Sequence, residues 1–119
     1  MKTWAKESHL RNLVQRVRGD SSGLTEGRDK TLLELMDRVL NLLDTPVDGN
    51  NQLILIFSAT LQCVQRAERV VLDAMRLDHW VTMQEEAVLV HLRLAFAEMI
   101  GLLTSASEEL RLVPVPIRR

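Results

Sequence analysis

Aromatic residues make up only 3% of this chain: Trp4, Trp80, Phe57 and Phe96 are the whole set, and tyrosine is absent. Sheet proteins lean on aromatic and β-branched side chains to fill a pleated, half-buried surface, so this scarcity argues against a sandwich or barrel. Cysteine is rarer still. Cys63 stands alone, so no intrachain disulfide can form, which points to a reducing compartment. Glycine and proline are few and scattered: there is no glycine-rich phosphate loop, and Pro114 and Pro116 lie too close together for a P-x-x-P ligand.

Metal-binding patterns are missing as well. None of His9, His79 and His91 has an acid three residues before it, and they form neither His-x-x-x-His nor a Cys/His cluster. That excludes the di-iron and zinc patterns common in helical proteins. The acids between Asp44 and Asn50 have the wrong spacing for a calcium loop. No uninterrupted apolar run approaches the roughly 20 residues of a membrane span. Met1 to Leu10 is polar and charged, without the apolar centre of a secretory signal. The expectation is a cytoplasmic protein with no metal, cofactor or membrane partner.

What the chain does have is leucine, alanine, methionine, glutamate and arginine, all good helix formers. Its 119 residues, 46% hydrophobic and 26% charged, suffice for one core. The net charge of −1 hides basic ends on an acidic body. Lys2, Lys6, Arg11, Arg16 and Arg18 crowd the first segment beside Glu7, while Arg111, Arg118 and Arg119 close the chain without an acid. Such ends can steer an acidic partner or attract the body of a second copy.

Apolar spacing lays out four helices. The first opens at Lys2 or Thr3, carries Leu10, Leu13, Val14 and Val17 on one thin stripe, and closes at the Gly19–Gly23 turn, so it should be peripheral. The second fits Asp29 to Leu43, with Thr31 and Glu34 at capping-box spacing and a broad face of Leu32, Leu35, Met36, Val39, Leu40 and Leu43. Asp44-Thr45-Pro46 ends it, and the Asp48–Asn51 turn offers an asparagine cap. A long third helix runs from about Gln52 to Leu77, and a short connection returns the chain into a fourth beginning at Thr82, whose spacing to Glu85 is again that of a capping box. From Leu110 the alternation of apolar residues with arginine and proline predicts an extended or disordered tail. The predicted fold is therefore all-α: an up-and-down four-helix bundle over residues 1–109, two shorter helices followed by a long antiparallel hairpin, with a Pro/Arg tail over 110–119.

The fourth helix carries two apolar stripes where a helix with neighbours on one side needs only one. Val88, Leu92, Ala95, Met99, Leu102 and Ala106 form the first, widened by Leu89, Phe96 and Leu103. Met83, Ala87, Val90, Leu94, Ala97 and Gly101 form the second, stepping by four and three in the heptad manner that keeps a seam facing a partner helix. That partner is either the second helix of the same chain or the same helix of a second copy. Two long helices with wide apolar faces outstrip what one short broad helix and one thin one can cover, which favours a homodimer.

Candidate chemistry is sparse. Glu68 falls beside Leu61, Val64, Leu72 and Met75 on the helical wheel and is the one acid expected to be buried, bridged to an arginine of the first helix or of a second subunit. Cys63 with His91 is the only pairing that could serve nucleophilic catalysis, and a lone cysteine on an apolar flank more often packs as a small hydrophobe. No enzyme is expected. The expected function is a small interaction module, an adaptor, regulator or chaperone-like binder of an unidentified protein partner, with Lys6, Arg11, Arg16, Arg18, Arg118 and Arg119 available to an acidic surface. The alternative is a nucleic-acid-binding regulator using the basic first helix, although aromatics for stacking and a helix-turn-helix are lacking.

Overall fold

The computed structural model describes residues 6–24, 27–76 and 83–112, with the side chains of 111 and 112 left aside. It contains four helices: α1 (Glu7–Asp20), α2 (Arg28–Leu43), α3 (Asn50–Arg76) and α4 (Met83–Leu112), with one 3-10 turn (Ser21–Gly23) after α1. Each helix packs mainly on its neighbours in the order α1, α2, α3, α4, and α4 closes the ring against α1. Paired side chains give the directions. Arg11 reaches Asp44 and Arg18 reaches Asp37, so α1 and α2 run antiparallel. His9 bonds Glu98 while Gly23 lies against Val88, so α1 and α4 do as well. The chain is the up-and-down four-helix bundle expected from its periodicity.

The core is built where the four apolar faces meet. Leu10, Val14 and Val17 of α1, Leu32, Met36 and Val39 of α2, Phe57, Val64 and Val71 of α3, and Leu92, Phe96 and Met99 of α4 are all at or below 2% exposure. The thin stripe of α1 is thus as buried as any other, contrary to the peripheral position expected. A narrow stripe suffices for a helix seated between two others, because α2 and α4 flank it on both sides. The molecule is a rod of 62 × 22 × 18 Å. At 1.5 Å per residue, α3 and α4 are roughly 40 and 45 Å long, about twice the length of α1 and α2, so the hairpin outruns the helices that cover it.

Several helix ends differ from their sequence reading. Thr31 does not cap α2: Gly27, the residue just before the helix, takes the N-cap with φ +79°, and the Thr31 hydroxyl donates back to the Gly27 carbonyl at 3.1 Å. A left-handed residue bends the chain into the helix where an ordinary side chain would be strained. Asn50 and Asn51 fall inside the first turn of α3, and the Gln52 side chain accepts the backbone N–H of Asp48 at 2.6 Å. At its far end α4 continues through Leu110 to Leu112 instead of yielding to an extended tail at 110. Pro114 restricts only the residue before it, and half-buried Leu110 packs on the core. The expected start of the first helix at Lys2 or Thr3, the Asp78–Val81 connection, the Thr82 cap and the tail from 113 lie outside the described residues.

Candidate functional site

α4 divides its surface cleanly. When Met83, Val90 and Ala97 are placed at heptad position d and Ala87, Leu94 and Gly101 at a, the core-facing residues fall at the remaining positions b, c and f. Leu89, Leu92, Ala95, Phe96, Met99, Leu103 and Ala106 are buried there, with Val88 and Leu102 partly so. All six members of the a/d row are exposed. Met83 is 88%, Leu94 63% and Val90 42% exposed, so large apolar side chains stand in water along three turns. No heavy atom comes within 4 Å of a Cβ built on Gly101. Of the two partners open to this row, the second helix of the same chain is excluded, because α2 packs on α3 and α1 while the row stays uncovered.

Charges border the row on both sides. Glu86 and Arg93 lie along one edge, His91 and Glu98 along the other, all exposed. His9 of α1 bonds the Glu98 carboxylate at 2.5 Å and ties that edge to the bundle. A further exposed large apolar residue, on none of the predicted stripes, is Leu55, 68% exposed near the start of α3.

The other candidates are placed less as expected. Glu68 is only half-buried and lines a shallow surface depression with Gln65, Arg69, Leu72, Asp73 and Arg76. Among the described residues the buried acid is Glu85 in the first turn of α4, 5% exposed. Its signal was in the sequence: Glu85, Leu92, Met99 and Ala106 are spaced by sevens and share the buried f line. Cys63 is buried and His91 exposed. Among the described residues no group of three or more His, Cys, Asp or Glu could hold a metal ion.

The basic first segment is partly spent on the fold. Arg11 donates to Glu7 at 2.9 Å and to Asp44 at 2.8 Å. Asp44 first, then Glu7, raise the Arg11 pKa above its ordinary value. That contribution is present below the ordinary arginine range while both carboxylates are charged, and fades as pH rises through the folded value. Arg18 lies 3.2 Å from Asp37. Lys6 and Arg16 are exposed, and Arg118 and Arg119 lie outside the described residues.

Met83–Leu110 contains an 18-residue stretch with a mean hydropathy of 1.6 and is long and apolar enough to cross a membrane, the one such helix among the described residues; a third of that stretch is buried. The stretch differs from the absence of a span expected from uninterrupted runs because Arg93 and Glu98 interrupt it without lowering its average below that of a span. The chain matches no protein-family model, no curated protein and no solved structure.

Proposed function

We propose that this chain is a small cytoplasmic adaptor or regulator that works through helix-to-helix contacts, as a homodimer joined along the outer face of α4. One observation carries the proposal: α4 uses one apolar face for its own core and leaves a second, at heptad spacing, open to water. Fully covering a side chain of the size of Met83, Val90 or Leu94 is worth about 1.5–3 kcal/mol. Ala87, Ala97 and Gly101 between them let a second helix approach closely. The pairing of Arg11 and Arg18 with acids of the same chain leaves less free charge for a nucleic-acid role.

Light scattering tests the proposal. Wild-type chain at high micromolar concentration is expected to show twice the monomer mass. Val90→Glu combined with Ala97→Glu is expected to show the monomer mass with the helical circular dichroism unchanged, because both positions lie outside the core. A wild type that is monomeric at that concentration overturns it.

A further inference from the structure

If a second copy covers the outer face of α4, as just proposed, the charges beside the apolar row also decide which way that copy lies. We propose that the two copies dock in parallel, α4 beside α4 in the same direction, with Arg93 of each facing Glu98 of the other and Glu86 of each facing His91 of the other. With the a/d row as lettered above, Gln84, His91 and Glu98 occupy the e positions and Glu86, Arg93 and Ile100 the g positions. In a parallel pair of helices each g side chain meets the e side chain five residues further along its partner, and charges at these positions set orientation. Arg93 then meets Glu98 and Glu86 meets His91, each twice by the two-fold symmetry of the dimer.

The antiparallel register that lays the whole row on itself fails on charge and not on shape. Turned round, the row still meshes, Val90 against Leu94 and Ala87 against Ala97. Its edges do not: g now faces g and e faces e, which sets Arg93 against Arg93, His91 against His91, Glu86 against Ile100 and Glu98 against Gln84. No opposite charges meet, and the two Arg93 guanidinium groups face each other near the centre. All four side chains of the parallel pairs are exposed, and the Glu98 side chain remains 49% exposed while bonded to His9, so its two oxygens can accept a further donor. The same charges halfway along α4 suit a helix seam better than hydrocarbon.

Cross-linking of single-cysteine variants reads the orientation directly. On a Cys63→Ala background, Ala87→Cys and Ala97→Cys are prepared separately and oxidised mildly. In the parallel dimer each position meets its own copy, and either variant alone is expected to form a disulfide-linked dimer. Two independent positions guard against one variant folding poorly. Cross-linking only when the two variants are mixed places residue 87 against 97 and overturns the parallel arrangement while leaving the dimer standing. A wild type that scatters as a monomer, or one that leaves solution for neutral phosphatidylcholine vesicles, overturns both. A charge exchange gives a second reading: Arg93→Glu is expected to weaken the dimer about tenfold, and adding Glu98→Arg to restore most of the loss. No weakening by Arg93→Glu overturns the assigned pairs.

Discussion

Gly27 shows how much one residue without a side chain can settle. At φ +79° it turns the chain into α2, and a Cβ there would be strained although nothing crowds it within 4 Å. Replacing it with alanine is expected to cost about 1–2 kcal/mol, the usual penalty for a left-handed residue with a side chain, measurable as a lower urea midpoint with an unchanged slope. Gly23 is constrained by space instead: a Cβ there would lie 3.1 Å from Cγ2 of Val88, so the 3-10 turn approaches α4 more closely than alanine would comfortably allow. Neither role was legible from the residues alone, because a glycine in a polar stretch reads the same whether it turns the chain or merely fills it. The acids teach the complementary lesson. Glu68 lies at the margin of its face, where a small rotation of α3 decides between core and water, and the helical wheel does not resolve such a margin. Glu85 sits squarely on a line of buried residues, although in sequence its spacing from Thr82 reads as a capping box.

At the scale of the element, periodicity was a good guide to the middle of each helix and a poor one to its ends. The buried apolar residues of α2 and α4 all lie on their predicted stripes, with Leu35, Leu40, Val88 and Leu102 partly buried at the margins, since a helix period repeated over several turns averages out local exceptions. Ends depend on single hydrogen bonds, and there Gly27, Gln52 and the extra turn through Leu112 departed from expectation. The division of α4 into two faces makes a sharp expectation for neighbouring large residues. Phe96 is fully buried, and Phe96→Ala is expected to destabilise the folded chain by about 3–5 kcal/mol. Leu94, two residues earlier and 63% exposed, should cost under about 1 kcal/mol as alanine in dilute solution, where the dimer has dissociated. Chemical denaturation of both variants at low micromolar concentration compares them, and equal losses would show that the two faces are not distinct. The candidate seam itself was legible as spacing, but whether the chain covered it was not: that depends on where α1 and α2 come to rest, a matter of tertiary packing.

The whole molecule is long for its mass. Its radius of gyration is 16.2 Å, against roughly 13–14 Å for a compact domain of this length, because two helices of the bundle are about twice as long as the other two. Elongation has a geometric consequence for assembly. Rods joined tip to tip gain length, whereas rods laid flank to flank gain only girth. A pair sharing the side of α4 should therefore keep a longest dimension close to the 62 Å of one chain while its cross-section roughly doubles, and small-angle X-ray scattering of the dimer peak should return a maximum distance that barely exceeds the monomer's.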